Sequence, residues 1–124
     1  MGFLLVFLGG GLGAAMRHGA TMLAARCWGV QYPFGTLCIN VLGSFFMGVV
    51  VEYWAMKSGL SPQARLFLAT GVLGGFTTFS TFSLEVAMLS TRGEVMAAAL
   101  YAASSLILGV GALYAGIAGV RWAL

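Results

Sequence analysis

The stretch G-V-L-G-G-F-T-T-F-S-T-F-S-L-E, from Gly71 to Glu85, combines three glycines, five hydroxyl side chains and three phenylalanines spaced three residues apart. It lies within apolar sequence that predicts a membrane-spanning helix. The pair Gly74-Gly75 is nevertheless a poor helix interior, because glycine costs roughly 1 kcal/mol per residue relative to alanine. Inside a bilayer, a loosened backbone is tolerated only where protein buries it or where it lines a wet cavity. Since broken helices commonly form ion sites at mid-membrane depth, the stretch predicts an ion pathway.

The composition of the chain excludes a soluble domain. Of its 124 residues, 60% are hydrophobic and only 7% are charged, and the mean hydropathy is +1.00. A membrane-spanning helix needs about 20 mostly apolar residues, and four such segments fit between the charges, at about 2–27, 33–56, 62–91 and 95–120. We therefore expect an all-α integral membrane protein, a single four-helix transmembrane domain over residues 1–124 with no cleavable signal peptide. Its third helix is expected to be broken near mid-membrane.

Lysine and arginine give almost no bias toward one membrane orientation. One face of the predicted bundle has three basic residues and the other has two, with a sixth nearer mid-span: Lys57, Arg65 and Arg121, against Arg26 and Arg92, with Arg17. Because basic residues near the ends of the spans set orientation, this balance favours insertion in both directions. The simplest assembly is then an antiparallel two-fold dimer. The alternative, that the balance is accidental, stays open.

Several other classes of function lack support in the sequence. The net charge of +3 disfavours an acidic, cation-concentrating vestibule, and no basic run indicates nucleic-acid binding. Cys27 and Cys38 have neither metal-like spacing nor a nearby histidine, so we interpret them as small apolar fillers. Without a Ser/His/Asp, Cys/His or metal-ligand cluster, the chain is not expected to be an enzyme.

Polar residues in the first two spans allow two interpretations each. Thr36, Asn40 and Ser44 follow at intervals of four, so they form one polar stripe on an apolar helix, which suits either ordinary interhelical hydrogen bonding or a pathway. Asn40 is its most informative member, because an amide both donates and accepts. Arg17, well inside the first span, either faces a wet or paired position or extends toward the interface.

The third and fourth spans carry further patterns at helical spacing. Beyond the double glycine, phenylalanines share one helix face and hydroxyls share an adjoining one: Phe76, Phe79 and Phe82, and Thr77, Ser80 and Ser83. Phenylalanines at this spacing are usually packing residues, but their place directly after a double glycine, among five hydroxyls, favours a pathway. Glu85 is either interfacial or paired with a polar group on the second span, such as Thr36. In the fourth span, a small-residue stripe predicts close packing at Gly111, Ala115 and Gly119.

These residues resemble the Fluc-type fluoride channels, the CrcB family, over essentially the whole chain. Three motifs carry the resemblance: G-G-G-L-G-A-x-x-R at Gly9–Arg17, G-T-L-x-x-N-x-x-G at Gly35–Gly43, and G-x-x-G-G-F-T-T-F-S-T-F-S-x-E at Gly71–Glu85. The third motif is long and highly specific. The first two are moderately specific alone, but they occur in the right order and spacing.

The resemblance implies a fluoride-selective channel that exports fluoride passively across a prokaryotic cell (inner) membrane and lowers cytoplasmic fluoride. It further implies an antiparallel dual-topology homodimer surrounded by membrane lipid, with two fluoride pathways at the subunit interface and a structural sodium ion at the dimer centre. The family's sodium-coordinating backbone carbonyls match Gly74 and Thr77 of both subunits. Its pathway residues match eight positions: Asn40, Phe79, Phe82, Ser80, Tyr101, Ser105, Thr36 and Glu85. The chain departs from some relatives at Gly109, where they have a polar residue.

Elementary chemistry agrees with this assignment. Fluoride is small and strongly hydrated, so a selective pore must replace its water with hydrogen-bond donors, which an amide and hydroxyls supply. The positive edge of an aromatic ring would let Phe79 and Phe82 hold an anion edge-on. The main alternative is a small dual-topology proton-coupled multidrug exporter, which needs a carboxylate deep in the bundle, and the first span contains none. A structural or assembly subunit is a second alternative, which would leave the hydroxyl and phenylalanine pattern unexplained.

Overall fold

Four helical runs make up the part of the chain that the computed structural model describes, residues 1–29 and 32–124. The runs are α1 (Gly2–Trp28), α2 (Phe34–Met56), a third run at Pro62–Thr91 and α6 (Val95–Ala123). The third run consists of α3 (Pro62–Arg65), a π-helical segment (Leu66–Leu73), α4 (Gly74–Phe76) and α5 (Phe79–Thr91). Each run is long and apolar enough to cross a membrane, so the prediction of an all-α membrane protein with four spanning helices is confirmed.

The ends of the third run follow local sequence signals. Ser61 precedes α3, its side-chain oxygen accepts a hydrogen bond from the Ala64 amide at 3.2 Å, and Pro62 occupies the first helical position. The chain enters the run after Gly59 and leaves it at Gly93, whose φ angles of 80° and 84° lie in the left-handed region that glycine adopts without a steric penalty. The two turns at these glycines therefore delimit the third run.

Close backbone contact between α1 and the third run depends on glycine. A Cβ atom on Gly13 would lie 2.0 Å from the Val72 carbonyl oxygen, and one on Gly9 would lie 2.7 Å from the Phe67 carbonyl oxygen. These two positions are four residues apart, which is the small-xxx-small spacing of closely packed helices, and the absence of side chains lets the backbones touch.

A second close contact joins α2 and α6. Cβ atoms on Gly48 and Gly116 would each lie 2.1 Å from a carbonyl oxygen of the opposite helix. Within the chain, the predicted stripe on the fourth span is not the packed one, because Gly111 and Gly119 have no neighbour within 4 Å of a Cβ atom and Gly116 makes the contact. Several faces of this helix carry small residues, so sequence spacing alone did not identify the packed one.

Large apolar side chains lie mainly on the outside of the chain. Phe3 and Trp122 are 96% and 92% exposed, whereas the buried hydrophobic residues among those described are few: Ile39, Leu89, Ala98, Tyr101 and Val120. An apolar exterior suits lipid, which is as apolar as the side chains themselves. Tight contacts at small residues, rather than a large apolar core, therefore hold the helices together.

An ion pair links the last turns of α2 and α6. Glu52 is buried, and its carboxylate accepts a hydrogen bond from the Arg121 guanidinium. An ionised side chain within a membrane-spanning segment is costly unless it is paired, so Arg121 stabilises the charge on Glu52. No local pattern in the sequence indicates this pair, because 69 residues separate its members.

Replacing Gly13 with alanine tests the contact between α1 and the third run. The added methyl group must displace the Val72 backbone, so we expect Gly13→Ala to lower the free energy of unfolding by about 1–3 kcal/mol. Gly19→Ala is the matched control, since a Cβ there meets nothing within 4 Å and alanine favours the helix by up to about 1 kcal/mol. Tryptophan fluorescence during unfolding in mixed detergents measures both. Equal stability of the two variants would contradict the contact.

Candidate functional site

The third run is interrupted at two residues, Thr77 and Thr78. Thr77 has a ψ angle of 156°, and Thr78 has φ and ψ angles of −148° and 123°, so both are extended. Gly74 and Gly75, where the sequence indicates loosened backbone, remain helical. A Cβ atom on Gly75 would lie 2.4 Å from the Gly10 carbonyl oxygen. Glycine at this position is therefore required by close packing against α1.

The Asn40 side chain binds the extended backbone on both sides. Its Oδ1 atom accepts a hydrogen bond from the Thr78 amide at 2.8 Å, and its Nδ2 atom donates one to the Thr78 carbonyl at 3.0 Å. In a continuous helix, both backbone groups would be paired within the helix. Asn40 thus replaces the helical hydrogen bonds of Thr78, and one of its two N–H donors is left for another acceptor.

Arg17 binds another backbone group released by the interruption. Its Nε atom donates a hydrogen bond to the Gly75 carbonyl oxygen at 3.1 Å. In a continuous helix, this oxygen would accept a hydrogen bond from the amide four residues later. Of the two interpretations that the sequence left open, the structure shows the paired one. The bond joins α1 to α4 directly beside the interruption.

The carbonyl oxygen of Thr77, at the interruption, accepts no hydrogen bond from the described residues, and the Gly74 carbonyl lies three residues before it. In the described part of the chain, the hydrogen bonds around the interruption involve the carbonyls of Leu73, Gly75 and Thr78. Carbonyl oxygens at the ends of unwound helices are suitable ligands for sodium. The described residues hold no group of three His, Cys, Asp or Glu side chains that could bind a metal.

A cavity of about 210 Å³ lies beside the interruption, between α2, α5 and α6. Eight residues line it: Asn40, Ser44, Phe79, Phe82, Ser105, Leu106, Gly109 and Val110. Four of the eight side chains that the sequence assigns to a fluoride pathway are among them, and Ser44 belongs to the predicted polar stripe on α2. No carboxylate is among these lining residues, so none of them would repel an anion in the cavity.

The cavity combines ring edges with unpaired donors. The rings of Phe79 and Phe82 lie 5.6 Å apart between centroids, and Phe79 is 78% exposed, so the cavity opens on the surface of the chain. The Ser105 hydroxyl is buried and has no hydrogen-bond partner among the described residues. A buried hydroxyl without a partner costs free energy, and a bound anion would remove that cost.

Tyr101 connects this cavity to a second polar cluster. Its ring packs 5.2 Å from the Phe82 ring, its side chain is fully buried, and its hydroxyl donates to the Glu85 carboxylate at 3.0 Å. Thr36, which is 4% exposed, interacts with the same phenol. Thr36 and Glu85 also line a smaller cavity of about 110 Å³.

The structure corrects one expected contact and separates one expected residue from the others. Glu85 is paired with Tyr101 on α6, and not directly with Thr36 on α2, because the Tyr101 hydroxyl donates the hydrogen bond to its carboxylate. Ser80 is exposed and lines neither of these two cavities, and its hydroxyl lies 3.3 Å from the Thr78 hydroxyl. Thr78, the residue that Asn40 binds, was not singled out in the sequence, although its hydroxyl also accepts from the Thr81 amide at the start of α5.

Comparison with known proteins gives one family and close relatives. The family model described as CrcB-like protein, Camphor Resistance (CrcB), matches residues 4–117. The fluoride-specific ion channel FluC 2 of Nitrobacter hamburgensis is 54% identical over 121 residues, which cover 98% of both chains. The fluoride-specific ion channel FluC of Granulibacter bethesdensis is 54% identical over 98% of this chain and 95% of its own length. FluC of Rhodopseudomonas palustris is 51% identical over 98% of both chains.

Removing the Asn40 amide tests whether it holds the interruption in place. Asn40→Ala leaves the Thr78 amide and carbonyl without their partner, so we expect the free energy of unfolding to fall by about 2–4 kcal/mol. Hydrogen exchange at the Thr78 amide should accelerate. Thr91→Ala removes one exposed hydrogen bond, to the Ala87 carbonyl, and should change stability by less than about 0.5 kcal/mol. An unchanged Thr78 exchange rate in Asn40→Ala would show that other groups hold the backbone.

Proposed function

This chain belongs to the CrcB family, and from that membership we propose that it is a fluoride-selective channel through which fluoride leaves the cell passively and cytoplasmic fluoride falls. The relatives that match it over nearly their full length are bacterial proteins named fluoride-specific ion channels. The protein is accordingly a multi-pass membrane transporter, and not an enzyme.

The cavity beside the interruption is the structural observation that supports fluoride as the ion. It brings together the spare N–H of Asn40, the unpaired Ser105 hydroxyl and two phenylalanine rings. Donors can replace the hydration shell of a small anion, and ring edges carry positive potential. A proton-coupled exporter is not favoured, because neither α1 nor this set of lining residues contains a carboxylate.

A pathway residue set extends this proposal beyond the cavity. We assign the ion-contacting role to Asn40, Phe79, Phe82 and Ser105. The buried cluster of Tyr101, Glu85 and Thr36 would continue the pathway toward the membrane face at which α5 ends and α6 begins. Ser80, which is exposed in the single chain, would join the pathway at the interface with a second copy.

Assembly as an antiparallel dual-topology homodimer is part of the proposal. The cavity opens on the surface of the single chain at Phe79, so a second copy would be needed to close it. The balanced basic residues at the two membrane faces favour insertion in both orientations. Two copies inserted in opposite directions can then associate about a two-fold axis in the membrane plane.

A structural sodium ion at the centre of that dimer is the remaining part. The carbonyl oxygens of Gly74 and Thr77 would provide four ligands from two copies. Gly74 lies exposed, and a Cβ atom there would meet only the Ala69 carbonyl oxygen, at 3.6 Å. The surface around Gly74 is thus accessible to a second copy. The ion would offset the repulsion between carbonyl dipoles of the two subunits.

Fluoride efflux from liposomes with chosen phenylalanine variants tests the pathway. In potassium-loaded proteoliposomes, fluoride should leave only after valinomycin dissipates the charge. Phe79→Ile and Phe82→Ile keep apolar bulk but remove the ring edge, so we expect efflux to fall by about thirty- to hundred-fold, the equivalent of about 2–3 kcal/mol.

Phe76→Ile is the matched control for these variants. Phe76 does not line the cavity, and its ring lies beside Gly43, so its replacement should change efflux little. All three proteins should elute as intact dimers. Efflux that follows a proton gradient without valinomycin would indicate a coupled carrier, and equal losses in all three variants would indicate a packing role for the rings.

Leucine at Gly74 tests the dimer centre. The single chain has room for a side chain there, so Gly74→Leu should retain its helical circular dichroism but elute as a monomer without fluoride efflux. Gly111→Leu, at another glycine with open surroundings, should remain a dimer with normal efflux. A stable Gly74→Leu dimer with full efflux would remove both the proposed contact and the sodium site.

A further inference from the structure

Ser44 lies in the wall of the cavity that holds the proposed pathway residues. It follows Asn40 by one turn of α2, so both side chains point to the same side of that helix. Ser105 lines the same cavity from α6. Hydroxyls from two different helices therefore face one cavity, together with the Asn40 amide.

The Ser44 hydroxyl is free to bind an ion. Serine and threonine hydroxyls in a helix often donate to the carbonyl four residues earlier. Thr77, Ser83 and Thr91 do so here, at 3.0, 3.0 and 2.7 Å. Within residues 1–29 and 32–124, the Ser44 hydroxyl takes part in no such bond, and unlike the Ser105 hydroxyl it is not fully enclosed. Its proton is thus available to a molecule or ion in the cavity.

Gly109 leaves the wall of α6 bare beside Ser44. A Cβ atom on Gly109 would lie 3.8 Å from the Ser44 oxygen, which is an ordinary van der Waals distance. Packing therefore does not require glycine at this position. Because residue 109 is glycine, no side chain from that position stands in front of Ser44. Of the two residues, only Ser44 offers a hydroxyl to this part of the cavity.

We propose that Ser44 is a further fluoride-binding residue of the pathway, which donates its hydroxyl from α2 where Gly109 provides none from α6. This inference rests on the proposed fluoride channel and assigns one more donor to it. Because Gly109 accepts a Cβ atom and faces Ser44, a serine at 109 would place a second hydroxyl within reach of the same ion. The two positions should then be exchangeable as donors.

Fluoride efflux from proteoliposomes with substitutions at both positions tests the exchange. Loss of one donor should make Ser44→Ala about tenfold slower than the unmodified protein. Adding Gly109→Ser to Ser44→Ala should restore most of the efflux. Adding Gly109→Ala instead supplies the Cβ without the hydroxyl, so the double variant should stay slow. Ser104→Ala, one residue from Ser105 and outside the cavity lining, should leave efflux unchanged.

Several outcomes would overturn the proposal. Full efflux in Ser44→Ala would show that the hydroxyl is not used, and rescue by Gly109→Ala as well as Gly109→Ser would show that volume matters instead. If Ser44→Ala fails to elute as the unmodified protein does, Ser44→Cys keeps the size with a weak donor and should be slow in the same way. Absence of efflux from the unmodified protein and from Ser104→Ala would contradict the channel function itself, which separates the two failures.

Discussion

The two hydrogen bonds between the Asn40 side chain and the Thr78 backbone are the constraint on which the rest of the site depends. A membrane-spanning helix that opens at two residues exposes amides and carbonyls that no water can satisfy. One amide side chain on α2 satisfies the amide and the carbonyl of Thr78 together, so the extended link keeps a single conformation. The start of α5 is thereby fixed relative to α2, and with it the position of the Phe79 ring above the cavity.

Arginine and glycine on α1 complete this support from the opposite side. The Arg17 guanidinium binds the Gly75 carbonyl, and the Gly75 backbone contacts α1 without an intervening side chain. A charged group at this depth would be costly alone, but here it compensates a backbone dipole that the interruption released. The region beside the cavity is thus held by α1 on one side and by α2 on the other. The Thr77 carbonyl remains free of partners among the described residues, between these two supports.

Local patterns in the sequence predicted the parts of this arrangement that depend on neighbouring residues. Hydropathy indicated the four spans, and the glycine, hydroxyl and phenylalanine motif indicated a loosened backbone at Gly74 and Gly75, which stay helical, whereas the extended residues are Thr77 and Thr78. The pairings across the bundle were not predictable in the same way. Asn40 binds a residue 38 positions away and Tyr101 binds Glu85, and no periodicity specifies which polar groups meet. Gly116 rather than Gly111 packs against α2, because helix rotation is set by the sum of contacts along α6.

The two adjacent glycines of the third run have distinct neighbours. Successive residues of a helix point about 100° apart, so a side chain is missing from two directions at almost one height. Gly75 turns toward α1, while Gly74 turns away from it. One glycine would let a single neighbour approach the helix backbone closely, whereas two adjacent glycines allow close approach from two sides. The backbone of the third run is therefore uncovered on two sides. One side contacts a helix of the same chain, and a different molecule can reach the other.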